Sequence, residues 1–200
     1  MKKNWCFVLV IILGINKLQA LPGDSLVLFS DLVFKNESEK TTFLNYSIDS
    51  KNTDIIDLFL TPYDRNDGYN SKSAHQKIND CVKVLTKETE GLTNAKRIKF
   101  IYKYVHQVFL KMYKLNNSFS DIFEKGEYNC VSASALYAII LKEIGIPCQI
   151  IEAPQHVFII AYPQTDKILI ETTSPEKGYF VVNDNYVAKY IKYLADSKLI

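Results

Sequence analysis

The 200-residue chain has no internal repeat, no low-complexity stretch and no long run of proline, glycine or serine; its 7 glycines and 6 prolines are scattered. Nothing therefore marks a linker between two domains. A dense stretch of lysine and arginine is also missing, because the basic residues are interleaved with acids and apolar positions. A phosphate-tracking stripe cannot be built that way, so nucleic acid is not an expected partner. The apolar run Cys6 to Ile15 falls well short of the roughly 20 residues that span a bilayer as a helix, and no stable membrane insertion is expected. The cysteines show no CxxC and no clustered histidine, which leaves no zinc-site spacing and no implied metal or cofactor.

What is present suits one exported domain. With 48% hydrophobic and 23% charged residues the chain can bury a real core, but it is too short for a second domain of ordinary size. Lys2 and Lys3, the apolar run and Leu18-Gln19-Ala20, which ends on a small residue, form the pattern of a signal peptide cleaved after Ala20. Cys6 sits at the start of that run, where a lipid-attachment cysteine would sit at its end. Residues 1–20 are thus read as a leader and 21–200 as a single domain, periplasmic or extracellular. Removing the leader's three lysines takes the formal charge from +2 to about −1. Cys81, Cys130 and Cys148 remain, an odd number in a compartment that permits disulfides, so at least one thiol stays unpaired or pairs externally. Oligomeric state is not legible.

Periodicity divides the domain into helices followed by strands. Weak helical patterns cover 25–34 and 37–47, and the turn-forming stretch 61–70 reads as a surface loop. A helix begins near Ser73, with Ile78, Cys81, Val82 and Leu85 on one buried stripe, so Cys81 is read as packing. Thr93 or Asn94 caps the next helix, whose apolar face from Ile98 through Val105 and Phe109 to Met112 carries it to about Lys114. A third helix covers 132–144 and is stopped by Gly145 and Pro147, with Cys130 at its start. Strands follow at 148–152, 157–162 and 167–173, the last two pairing across the turn at 163–166, then a short strand at 179–182 and a closing helix at 185–196. Helices first and sheet second make the fold class α+β.

Three residues carry the chemistry. A cysteine at the amino end of a helix has its thiolate favoured by unpaired N–H groups and the helix dipole, and those N–H groups can also receive an oxyanion. Cys130 is placed that way; taken alone, it fits a small buried residue equally well. His156 opens a strand beside a turn, which suits a base that must reach a substrate. Glu171 interrupts an apolar strand, where a carboxylate can orient the imidazole and stabilise its protonated form. Tyr128 and Gln155, neighbours of the pair, are candidates for an oxyanion donor. His75 and His106 have no cysteine or carboxylate at ligand spacing and read as partly exposed; Cys148 is core or a disulfide partner of Cys81.

At these residues the chain resembles the transglutaminase-like superfamily of papain-like thiol enzymes, over roughly 100–180. The matching pieces are Gly126-Glu127-Tyr128-Asn129-Cys130, the helix from Ser134 that ends in Gly145-Ile146-Pro147, then His156-Val157-Phe158 and Ile170-Glu171-Thr172-Thr173. The chain departs from the family at Val131-Ser132, where an aromatic residue is usual, at Val157-Phe158, where the family has Ala-Trp, and at Glu171, where the family has Asp. The resemblance implies a Cys-bearing helix packed on a small antiparallel sheet, with the core at about 94–183, and a Cys-His-Glu set acting on amide bonds of a protein or peptide through a thioester. Hydrolysis by a peptidase or amidase is the leading expectation; the alternative is a binding or scaffold module that keeps the fold with weakened catalysis.

Overall fold

The computed structural model describes residues 33–34, 37–45, 54–60, 71–174 and 178–196. The chain divides into two compact units, Met1–Phe34 and Lys35–Ile200, and the description that follows concerns the second. The expected leader and the expected loop at 61–70 lie outside the described residues, as does the expected helix at 25–34 apart from its last two positions, which are not helical.

The elements run α1 Glu37–Asn45, α2 Ile55–Leu60, α3 Ser71–Glu88, α4 Asn94–Val108, β1 Met112–Tyr113, α5 Asp121–Glu124, β2 Glu127–Tyr128, α6 Cys130–Glu143, β3 Cys148–Ala153, β4 His156–Ala161, β5 Ile168–Ile170, β6 Tyr179–Val181 and α7 Asp184–Asp196. The fold is α+β, with four antiparallel strands in the order β3-β4-β5-β6 and a separate parallel pair of β1 with β2.

Successive residues of a strand face opposite sides, and in this sheet both sides are covered. Ile159 and Ala161 of β4, with Ile168 and Ile170 of β5, join the core that α3, α4 and α6 build. Phe158 and Ile160, with Leu169, form a second cluster with Leu194 of α7, flanked by Val187, Tyr190 and Ile191 at helical spacing. Burial on both faces explains why β4 and β5 read as continuous apolar runs. Helix α6 is apolar nearly all round, with Ala133, Leu136, Tyr137 and Ile140 fully buried, as a helix between a sheet and other helices must be. It ends in a Schellman motif: Gly145 takes φ 70°, Gly145 N–H donates to Lys142 O at 3.0 Å and Ile146 N–H to Leu141 O at 2.8 Å.

Helix α4 and strand β5 are shorter than the sequence reading, and α2, α5 and the β1–β2 pair were not anticipated. Helix α4 stops at Val108 instead of continuing to Lys114. Phe109 and Leu110 remain in the core as the chain leaves the helix, which is why the apolar pattern ran on past its end. The N–H groups of Lys111 and Met112 then turn to Gly126 O at 2.9 and 3.0 Å, and β1 pairs with β2. Among the described residues no helix is long and apolar enough to cross a membrane.

Candidate active site

Cys130 is the first residue of α6. Asn129 caps the helix in extended conformation: its Oδ1 accepts from Ser132 N–H at 2.9 Å, and Ser132 Oγ accepts from Asn129 N–H at 3.0 Å, a complete capping box. Asn129 Nδ2 also donates to Leu115 O at 2.9 Å, tying the cap to the segment after β1. The positive end of the helix is thus held rigidly at the thiol.

The His156 ring and the backbone N–H groups of Val157 and Val131 stand close enough to the Cys130 thiol to favour its ionised form. The histidine contact is the largest influence and holds the thiol below its ordinary value; burial opposes it, and the two N–H groups add to it. His156 starts β4, directly after the turn that puts Gln155 at φ 61°. Its Nε2 lies 2.7 Å from Glu171 Oε2. Cys130 and then Glu171 push the imidazole up to about 9 against the opposing effect of burial. The thiol is lowered and the imidazole raised to about 9, so both shifts run in the direction that favours a thiolate beside an imidazolium.

Glu171 lies one residue past the end of β5, whereas the sequence placed it inside a longer strand. Its parity puts it on the α7 face of the sheet, with Phe158 and Leu169. Oε2 accepts from His156 and from Tyr190 Oη at 2.8 Å, and Oε1 accepts from Thr173 N–H at 3.2 Å and Thr173 Oγ1 at 2.7 Å. Burial alone would raise this carboxyl, but the bonds from His156, Thr173 and Tyr190 outweigh it and hold the group below its ordinary value.

The structure therefore brings Cys130, His156 and Glu171 together, with His156 bonded to Glu171 and its ring lowering the Cys130 thiol. Tyr128 is buried with its ring edge-on to His106 and Tyr113, and Gln155 is exposed at the strand turn. The N–H groups that favour the thiolate are main-chain groups, of which Val157 N–H was not anticipated. Tyr190 and Thr173 were missed too. The stripe of Val187, Tyr190, Ile191 and Leu194 on the closing helix is a signal for packing, but nothing in it says that the Tyr190 hydroxyl meets a carboxylate.

The other two histidines also find partners. His106, read as partly exposed, is buried at 7% exposure between α4 and α6, and that burial outweighs its backbone contacts and lowers its pKa. His75 on α3 meets residues far from it in sequence: Nε2 is 2.7 Å from Asp57 Oδ1 and Nδ1 is 3.6 Å from Asp54 Oδ2. One ligand atom from each of these three residues lies within 4.8 Å of the others, the spacing a cation would need. Asp54 already accepts from Ile56 N–H at 2.8 Å as a cap for α2, which accounts for its position without an ion. Cys81, Cys130 and Cys148 are all free thiols, so the Cys81–Cys148 disulfide is not formed. Protein-family models, curated proteins and solved structures were each compared with the chain, and none matches it.

Proposed function

We propose that the protein is an exported cysteine-dependent acyl-transfer enzyme of the transglutaminase-like, papain-like class, and that it hydrolyses amide bonds in a protein or peptide. The observation that carries this reading is His156 held 2.7 Å from Glu171 Oε2 by its Nε2 while its ring favours the ionised form of the Cys130 thiol. The Glu side chain, where the family has Asp, reaches the ring without a gap.

The thiolate of Cys130 attacks the substrate carbonyl carbon, and the first-turn N–H groups of α6 receive the oxyanion. As the tetrahedral adduct collapses, the imidazolium of His156 gives its proton to the leaving amine, and a thioester remains on Cys130. Water attacks the thioester with His156 accepting its proton, and the acid departs as the thiolate re-forms. Glu171 keeps the ring oriented and stabilises its charged form throughout.

Profiling with a peptide mixture, with and without a fluorescent primary amine, tests the reading. Cleaved products and a Cys130-linked acyl adduct by intact mass are expected from the wild type and not from Cys130→Ala. Incorporation of the amine in place of hydrolysis would reassign the acceptor; equal turnover by Cys130→Ala would remove the cysteine mechanism altogether.

A further inference from the structure

Behind the candidate site a buried polar cluster joins α4, α6 and the turn that carries Glu171. Tyr102 of α4 is fully buried, and its hydroxyl donates to Ser174 O and lies 3.3 Å from Glu171 O. One helical turn on, His106 Nε2 lies 3.1 Å from Thr172 O. His106 Nδ1 in turn lies 2.8 Å from Tyr137 Oη and 3.2 Å from Tyr102 O. Tyr137 belongs to α6, the helix that begins with Cys130, and its hydroxyl also lies 3.0 Å from Tyr102 O. Gly178 closes the far side: Glu171 N–H donates to Gly178 O at 2.6 Å. A Cβ at position 178 would stand 2.2 Å from both Glu171 O and the Tyr102 hydroxyl.

The cluster answers a need created by the early end of β5. Strand β5 ends at Ile170 with one further bond from Glu171 N–H to Gly178 O; Glu171 O accepts from Ser174 N–H at 3.3 Å, while the carbonyls of 172 and 174 turn to side chains. Polar side chains in a core cost free energy unless paired, and His106 and Tyr102 spend their hydrogen bonds on this turn. The turn's side chains then diverge by strand parity. Glu171 goes to the α7 side and onto Tyr190, while Thr172 goes to the α6 side, where its Oγ1 lies 3.4 Å from Ser134 Oγ.

We infer that Tyr102 and His106 are positioning residues: by fixing the carbonyls of 171, 172 and 174 they hold the Glu171 carboxylate on His156 Nε2, and through it the ring against Cys130. The inference rests on the reading of Cys130, His156 and Glu171 as one catalytic set. Tyr137 makes the arrangement rigid across the site, because the helix mounting the nucleophile and the turn mounting the acid are braced by the same phenol–imidazole pair.

The test is the pH profile of Cys130 alkylation by iodoacetamide, followed by peptide mass mapping, in wild type, Tyr102→Phe, His106→Leu and His106→Gln. Ile98→Val, a buried α4 change outside the cluster, serves as the packing control. Tyr102→Phe keeps the ring and removes only the hydroxyl, so it carries the test even where His106→Leu fails to fold. The apparent thiol pKa is expected to rise by about one unit in Tyr102→Phe and His106→Leu, less in His106→Gln, whose amide can still donate to Thr172 O, and not in Ile98→Val. A wild-type profile that is depressed and unchanged in Tyr102→Phe overturns the positioning role alone. An ordinary thiol profile in the wild type overturns the catalytic set and this inference with it.

Discussion

His156 Nε2 and Glu171 Oε2 are 2.7 Å apart, and that contact assigns the two ring nitrogens. With Nε2 committed to the carboxylate, Nδ1 is the nitrogen left for Cys130. The remaining acceptor sites of Glu171 are filled by Thr173 and Tyr190, so the carboxylate can neither rotate freely nor leave the ring. Ordering of this kind is what an orienting acid supplies.

Glu171→Gln removes the charge while keeping the length. Turnover is expected to fall by on the order of 10²- to 10⁴-fold, read as kcat/KM on whichever peptide the profiling yields. Stability supplies an independent readout. The folded pKa of Glu171 is depressed, so its contribution is fully present above the ordinary value of 4.5 and is lost as pH falls through the lower folded value. The stability difference between wild type and Glu171→Gln, measured by urea unfolding, should therefore shrink as the medium is made more acidic than 4.5, and shrink also as pH rises from 6.5 toward 9, where His156 gives up the proton that Glu171 stabilises. A difference that grows on acidification below 4.5 would contradict the hydrogen bonding described.

Tyr190→Phe leaves the ring packed edge-on against Phe158, 5.3 Å between centroids, and deletes one donor to Oε2. The carboxyl loses one of the bonds that hold its pKa down, so its titration should move up while His156 remains its partner. A stability loss of about 1 kcal/mol and a turnover loss smaller than that of Glu171→Gln are expected. Unfolding curves and kcat/KM together check this, and a loss equal to that of Glu171→Gln would mean that Tyr190 does more than support the acid.

Local chemistry was legible in the sequence, and contacts across the fold were not. The stop at Gly145 is written within a few residues, and the structure shows it, whereas the Asn129 cap that starts the helix at Cys130 was not read. The α4 boundary was obscured because Phe109 and Leu110 are buried whether or not they are helical. His106 looked like a lone polar residue on a helix, since its partners Tyr137 and Thr172 stand 31 and 66 positions away. Nor could periodicity show that β5 ends at Ile170, because continuing the strand and feeding a braced turn demand the same residue types there.

Asn129→Ala tests the mount of the nucleophile separately from its partners. It removes the acceptor for Ser132 N–H and the donor to Leu115 O, and a lost cap of this kind costs about 1 kcal/mol. Fraying of the first turn also disorders the N–H of Val131 that favours the thiolate. Lower stability is expected together with a higher apparent thiol pKa, seen by unfolding and by alkylation. Loss of stability with an unchanged thiol profile would show that the helix end contributes nothing to the thiolate.

Cys81, Cys130 and Cys148 should separate cleanly by reactivity. Burial pushes the Cys81 thiol up to about 12 and raises that of Cys148, while Cys130 is held down by His156. At pH 7 native protein treated with iodoacetamide should carry one label, on the peptide containing Cys130, because the thiolate is the reacting form. The rate should rise in two steps with pH. The first follows ionisation of Cys130, and the second falls near 9, where His156 gives up its proton and the thiolate loses its paired cation. In His156→Ala the lower step should vanish, leaving a single rise near the ordinary thiol value of 9.0. Labelling of Cys81 or Cys148 ahead of Cys130, or a single-step wild-type profile matching His156→Ala, would refute the ion pair.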